Sequence, residues 1–291
     1  MNNTKTIITK GMSGIKNKRI LLMIIKYAVL VLLAMVVLVP VLWMVSTAFK
    51  SEIQTYSPTP IWIPKPISFE SFKKFWGIYN FGRMTLNSLI TCLGSMIICT
   101  ACACFAGYGV TRFKFKGRGQ FMGFLLVTQM FPSVMLVVPF YSVLTTYHLT
   151  NNLLGLIIVY AATNIAFSTW MMTSYFQTIP TELDEAARVD GASNFKIFWK
   201  IILPLTVPGI AAVAIFVLIN GWNEYMYSSV LITKDSLKTL TVGIVSLNTQ
   251  NQVHWNDMMA ASSFSCLPLI VLFLCFQRYF IAGMTGGAVK N

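Results

Sequence analysis

The most concentrated chemistry in this sequence lies in one stretch, Pro180-Thr-Glu-Leu-Asp-Glu-Ala-Ala-Arg-Val-Asp-Gly-Ala-Ser-Asn-Phe-Lys-Ile-Phe-Trp-Lys-Ile-Ile-Leu-Pro204. It carries helix signals twice over. Thr181 followed by Asp184 is an N-terminal capping arrangement, Glu185-Ala186-Ala187 continues the helix, and Gly191 supplies a left-handed stop. Ser193 opens a second helix that ends at Pro204 and leads straight into an apolar run. Such a helix-turn-helix invites a nucleic-acid reading, but Glu182, Asp184, Glu185 and Asp190 outnumber Arg188, Lys196 and Lys200, the wrong balance for phosphate contact. Ala186, Ala187, Gly191 and Ala192, small and flanked by charge, suit close docking into a groove on another protein. The alternative is an amphipathic helix lying on lipid, against which stand the small side chains and the repulsion between these acids and anionic headgroups.

Other reactive residue types are sparse. Cys99-Thr-Ala-Cys102 spells C-x-x-C, yet redox and metal chemistry need an accessible, electropositive thiol site. Cys92, Cys99, Cys102, Cys104, Cys266 and Cys275 all fall inside apolar stretches, where small packing residues are the simpler account. The histidines are His148, in a polar turn, and His254, in a loop, neither near a second ligand type, so metal binding and histidine catalysis have no support. No G-x-x-x-x-G-K-[ST] occurs, so the chain has no phosphate cradle of the P-loop kind and ATP is hydrolysed elsewhere if it is used. Polar residues within apolar runs form the other candidate set: Gln129, Asn164, Asn220, Trp222, Asn223 and Glu224, with Asn87 and the aromatic residues Tyr160, Trp170, Tyr225 and Tyr227 nearby. Polar groups at membrane depth face a bundle interior or a cavity, and uncharged polar groups with aromatic faces fit a path for a neutral carbohydrate. Residue by residue, interhelical hydrogen bonding and an interfacial aromatic belt remain the plainer reading.

The elements that position these residues follow from composition. Of 291 residues, 56% are hydrophobic and 11% charged, against about 25% charged in a typical soluble domain, and mean hydropathy is +0.67. A soluble fold and a disordered chain are both excluded. The net charge of +13 belongs to basic loops facing anionic lipid rather than to nucleic acid. A span needs about 20 mostly apolar residues. Uncharged runs at Tyr27–Phe49, Met84–Thr111, Ile201–Asn223 and Met258–Gln277 each read as one helix. Gly119–Thr181 reads as two, joined by a tight turn at Tyr147–Asn152, for six spans in all.

Lys and Arg fall fourteen to seven across alternating loops, which puts both termini in the cytoplasm. The prolines 58, 60, 64 and 66 give the first outer loop an extended, ordered form. The first apolar run follows a basic tail, spans a full bilayer and lacks a small-residue exit, so it reads as an uncleaved anchor rather than a signal peptide. The expected organisation is a basic cytoplasmic tail over 1–19, a first transmembrane helix over 20–49, an outer loop over 50–83, a core of five transmembrane helices over 84–283, and a cytoplasmic tail over 284–291.

Glu185-Ala186-Ala187, three residues, Gly191, nine residues, then Ile201-Ile202-Leu203-Pro204 resembles the signature of permease subunits in bacterial ABC importers. The rest is similar to their carbohydrate branch and its second maltose-type permease subunit. Asn87-Ser-Leu opens the second span, and Gly107-Tyr-Gly-Val-Thr-Arg-Phe-Lys-Phe-Lys-Gly-Arg118 closes it. Trp222-Asn223-Glu224 ends the fifth, and Gly283-Met-Thr-Gly-Gly-Ala-Val-Lys290 lies at the C-terminus. The resemblance covers about 20–290 and implies an all-α membrane protein of the type I importer fold, with a cytoplasmic coupling helix that places Glu185, Ala186, Ala187, Asp190 and Gly191 against an ATPase. It implies a related permease as heterodimer partner, two cytoplasmic P-loop ATPase subunits that hold ATP and Mg, and an extracellular solute-binding protein. The chain itself would bind no cofactor and would be no enzyme. The loop Tyr225–Asp257 is long for a connection; in the resembled permeases such a loop reaches the binding protein, which points to Asn248, Gln250, Asn251 and Gln252 as contacts, with a self-packed loop as the alternative. A membrane-embedded enzyme needs paired ionisable residues at depth. An ion-coupled secondary carrier needs intramembrane carboxylates and inverted repeats. Neither pattern is visible; an ABC permease for a non-sugar solute remains a further alternative.

Overall fold

The computed structural model describes the backbone of residues 2–248 and 253–286 and the side chains of 19–248 and 253–277. In chain order the helices are α1 (Asn2–Ala48), α2 (Glu52–Thr55), α3 (Glu70–Gly77), α4 (Phe81–Arg112), α5 (Arg118–Thr128), α6 (Ser133–Thr146), α7 (Leu153–Gln177), α8 (Glu182–Val189) and α9 (Asn194–Ile197). A π-helical turn at Phe198–Ile202 leads into α10 (Leu203–Leu205), followed by α11 (Val207–Asn223), α12 (Met226–Leu231), α13 (Leu240–Ser246) and α14 (Trp255–Gly286). Among the described residues, four stretches are long and apolar enough to cross a bilayer: Arg19–Ala48, Phe81–Arg112, Leu153–Gln177 and Trp255–Gln277. Six result if each of two bent pairs is one crossing: α5 with α6, bent by 100°, and Asn194–Leu205 with α11, bent by 76°.

Two of these crossings are sharply bent at prolines. Gly119–Thr181 does hold two spans with a turn at Tyr147–Asn152, where His148 and Asn151 have φ of 56° and 53° and the Asn152 side chain caps α7 by accepting from Leu154 N at 2.9 Å. The first of the two is broken at Gln129–Pro132, because Pro132 disfavours helix at the residue before it and cannot donate to the ladder. Likewise the second helix of the Pro180–Pro204 stretch does not run straight into the fifth span. Pro204 and Pro208 withhold two backbone donors around Thr206, whose hydroxyl bonds Leu203 O at 2.9 Å, and the chain turns there.

The structure divides into two units. One comprises the chain up to Phe72 together with Trp255–Ser263. Its α1 is apolar and exposed at every described residue from 19 to 42, as befits a helix surrounded by lipid or another chain. At the end of α1, Trp43 meets Trp62 edge to face at 4.9 Å and Phe49 packs on Phe69 and Phe72. The proline-rich segment is thus ordered, as expected. Lys50 is buried there, 3.6 Å over the Trp43 ring and donating to Thr47 Oγ1 at 3.1 Å; burial holds its pKa below the usual lysine value.

The second unit, Lys73–His254 with the chain from Phe264 onward, is built on α4, α7 and α11. Its core joins Cys99, Ala103, Cys104 and Tyr108 of α4 to Met172 and Phe176 of α7 and to Val213 and Val217 of α11. Small residues let the backbones approach, the usual device where lipid removes the hydrophobic drive for helix pairing. Cys99 is buried with its thiol 3.4 Å from Ser168 Oγ, while Cys102 is exposed, so the C-x-x-C pair shares no site. At Gly107 the two helices approach closely: a Cβ would lie 3.0 Å from Met172 Cβ and 3.1 Å from the Thr173 backbone nitrogen. Gly107→Ala is expected to cost about 1–3 kcal/mol by overpacking, read as a lowered midpoint of thermal unfolding in detergent. Gly109→Ala, where nothing lies within 4 Å, should leave the midpoint unchanged.

Candidate functional site

The Pro180–Pro204 stretch folds into α8, a turn, and α9 with its π-helical continuation. Gly191 ends α8 with φ +78°. Its N–H donates to Arg188 O at 3.0 Å and the Ala192 N–H to Ala187 O at 2.9 Å, the double closure of a Schellman motif. Residues with a Cβ adopt that conformation poorly. Ser193 caps α9 as expected, its Oγ accepting from Lys196 N at 3.3 Å.

Thr181 does not cap α8; it has helical geometry and makes no side-chain cap bond. Asp184 is occupied elsewhere. Its Oδ2 lies 3.0 Å from Arg112 Nε, with both side chains about 96% buried (4% and 3% exposed), and its Oδ1 accepts from Tyr108 Oη at 3.3 Å. Arg112 Nη2 donates onward to Ile179 O at 2.9 Å. The last turn of α4 is thereby fixed to both ends of the Ile179–Asp184 segment. Tyr108 packs on Phe198 at 4.8 Å and Phe176 at 5.8 Å, so the ion pair is roofed by aromatic rings.

Of the residues expected to dock a partner, Glu185, Ala186, Asp190 and Gly191 are exposed. Ala187 is not: it is 7% exposed and packs into the core beside Ile197 and Phe198. Its smallness serves the seating of α8 on its own unit. Two residues passed over in the sequence stand out instead, Val189 at 88% and Phe195 at 70% exposure. They flank the Gly191 turn, and large apolar side chains beside a glycine stop were the available signal.

At the opposite ends of the spans, the expected path residues separate into groups. Asn220 Nδ2 donates to Asn164 Oδ1 at 2.9 Å, joining α11 to α7, and Asn223 lies exposed near Asn220 with its amide on Ile219 O. Trp222 points elsewhere, 3% exposed, with its indole N–H donating to Ser265 O at 3.1 Å. Glu224 caps α12: its carboxylate accepts from Tyr227 N at 2.7 Å and Ser228 N at 3.1 Å, favourable at a helix N-terminus. Gln129 stands apart at the α5–α6 bend, lining a cleft of about 540 Å³ with Thr163 and Tyr227. Asn87 is buried and donates to Ser236 O and Lys238 O at 3.1 and 3.0 Å.

The loop Tyr225–Asp257 is a folded subassembly through residue 248. Asn151 Oδ1 accepts from Thr233 N and Lys234 N at 2.7 and 2.9 Å, Ser88 Oγ accepts from Leu240 N at 2.8 Å, and Tyr227 Oη donates to Ser133 O at 3.1 Å. Burial pushes the Tyr227 phenol above its usual pKa. Asn248 pairs with Val253 as an antiparallel bridge. Gln250, Asn251 and Gln252 lie outside the described residues.

The model of the family described as "binding-protein-dependent transport system inner membrane component" matches residues 100–286. The chain belongs to this family. A probable ABC transporter permease protein of Bacillus subtilis is 34% identical over 253 residues, 87% of this chain and 83% of that protein. A trehalose/maltose transport system permease protein of Thermococcus litoralis is 33% identical over 277 residues, covering 94% and 98%. A diacetylchitobiose uptake system permease protein of Streptomyces coelicolor is 32% identical over 252 residues, covering 87% and 91%. Among solved structures, a chain of a bacterial ABC transporter involved in import of the acidic polysaccharide alginate shares the fold, with a TM-score of 0.77 and 24% identity over 88% of this chain and 95% of that one.

In this permease the family match covers the Arg112–Asp184 pair and the whole of α8. Removing one partner of such a buried pair strands a charge, at about 3–5 kcal/mol, whereas replacing both by apolar residues is far less costly. Asp184→Ala is therefore expected to be more destabilising than the double change Asp184→Ala with Arg112→Met. Denaturant titration of the purified permease checks the order; additive losses would contradict it.

Proposed function

We infer that this chain is the membrane-spanning permease subunit of an ATP-driven importer that moves a sugar or oligosaccharide delivered by an extracellular solute-binding protein. The observation that carries the reading is α8: a short helix held rigidly to α4 through Asp184 while Glu185, Ala186, Val189 and Asp190 remain exposed, within a chain whose permease relatives are named for trehalose, maltose and diacetylchitobiose transport. Such a surface passes a push from a docked subunit into the span without bending at the joint. The chain binds no cofactor of its own; two P-loop ATPase subunits hold ATP and Mg, and a related permease completes a heterodimer. Both termini and α8 are cytoplasmic, and the α12–α13 subassembly faces outward to the binding protein. Asn164, Asn220 and Asn223, with Gln129 at its separate cleft, are the path residues this arrangement favours. Asn248, Gln250, Asn251 and Gln252 are the proposed binding-protein contacts.

The direct test is uptake of radiolabelled maltose, trehalose and diacetylchitobiose in source cells with and without this chain. Purification of the tagged chain should bring a P-loop ATPase with it. Loss of uptake and a co-purifying ATPase are expected; unchanged uptake of all three with no ATPase recovered contradicts the reading.

Gly191→Val, which forces a β-branched residue to φ near +78°, should leave insertion intact and lower uptake at least tenfold, by uncoupling ATP hydrolysis or losing the ATPase. Wild-type uptake contradicts the coupling role of this turn. For orientation, single cysteines replacing Lys114 and Lys196 should be shielded from an impermeant thiol reagent added outside, and those replacing Lys65 and Lys234 should react.

A further inference from the structure

A cleft of about 350 Å³ between α5 and the last turns of α7 belongs to none of the groups above. One wall carries Trp170, Ser174 and Gln177, spaced i, i+4 and i+7 and so on a single face of α7. The other carries Arg118 and Met122 of α5, and Val110 closes the end. Trp170 presents 43% of its surface. Ser174 Oγ donates to Trp170 O at 3.1 Å, which leaves its lone pairs free to accept. Among the described residues, neither the Arg118 guanidinium nor the Gln177 amide has a partner.

The chemistry of this lining narrows the ligand. Among the described residues no carboxylate lines the cleft, so it does not suit a cation. Its lining is mixed, unlike the all-apolar groove beside Phe105 and Trp199, so it does not suit an acyl chain. A half-exposed indole with a hydroxyl, an amide and a guanidinium around it is the combination that a saccharide needs: an apolar ring to pack on and donors and acceptors for its hydroxyls. Position supports the same ligand. Thr163, which lines the Gln129 cleft, lies on the same helix as Ser174 eleven residues earlier, a rise of about 16 Å. The two clefts thus succeed one another along the α5–α7 seam, with Trp170 and Arg118 at the α8 end.

We propose that this cleft is a saccharide subsite at the cytoplasmic, release end of the route, with Trp170 covering the ring and Arg118, Ser174 and Gln177 meeting its hydroxyls. It rests on the sugar-importer reading. Ser174→Cys in the full chain, in inverted vesicles of the source cells that retain the whole complex, reports occupancy through the rate of maleimide labelling at position 174, read by peptide mass spectrometry. Maltose, trehalose and diacetylchitobiose are the probes, and import of each is measured in the same cells. Whichever is imported should slow labelling at least threefold, and Trp170→Ala should remove that protection while Trp170→Tyr keeps it. Gly119→Cys, on the facing wall where an added Cβ meets nothing within 4 Å, serves as reporter if Ser174→Cys impairs import. A saccharide that is imported yet leaves both labelling rates unchanged overturns the subsite and leaves the importer reading standing. Import of none of the three by the wild-type cells, with no P-loop ATPase recovered alongside the chain, overturns the importer reading and the subsite together.

Discussion

The buried ion pair between Arg112 and Asp184 is the constraint on which the arrangement of α8 depends. Taking both charges out of water costs several kcal/mol each, and only close, well-supported geometry repays it. Here the charges approach to 3.0 Å between Nε and Oδ2 without a hydrogen bond between those two atoms, while a second guanidinium nitrogen donates to Ile179 O and the Tyr108 hydroxyl to the other carboxylate oxygen. A pair of this kind adds little net stability, but it punishes every other placement of α8, because any rotation leaves a charge buried alone. The consequence is a joint with one permitted geometry, closed on its far side by the Schellman turn at Gly191.

The same economy governs the opposite ends of the spans. Asn87, Ser88, Asn151 and Glu224 all direct their side chains to the backbone of residues 227–240. Buried backbone groups that leave regular structure need partners, and these four side chains supply them. The loop after α11 is therefore a folded extension of the core, and the polar residues that open and close the spans hold it in place. Asn164 and Asn220 bond each other across α7 and α11, leaving Asn223 exposed beside them.

Much of this was legible in sequence where the signal is local. Apolar runs marked every membrane-crossing region, Gly191 and Ser193 marked the turn and the second cap, and the family-like spacing from Glu185 to Pro204 marked the coupling segment. The misreadings share a physical cause, which is competition from residues distant in sequence. Asp184 fits a cap at Thr181, but a buried guanidinium offers a stronger partner, and the contact with Tyr108 spans 76 residues. Ala187 and Asn87 are small and polar types that suit a docking face and a path, and in the fold each is also buried in its own unit's packing. The bends at Gln129–Pro132 and Thr206 follow from Pro132, Pro204 and Pro208, since a proline inside an uncharged run breaks the helix ladder.

The central claim is that the Arg112–Asp184 joint carries motion from α8 into α4. The number of saccharide molecules imported per ATP hydrolysed, compared between the wild-type complex and one carrying Asp184→Asn, measures it most directly, since asparagine keeps the shape and removes the charge. The account predicts that hydrolysis persists while this ratio falls at least tenfold, and an unchanged ratio in an intact complex would contradict it.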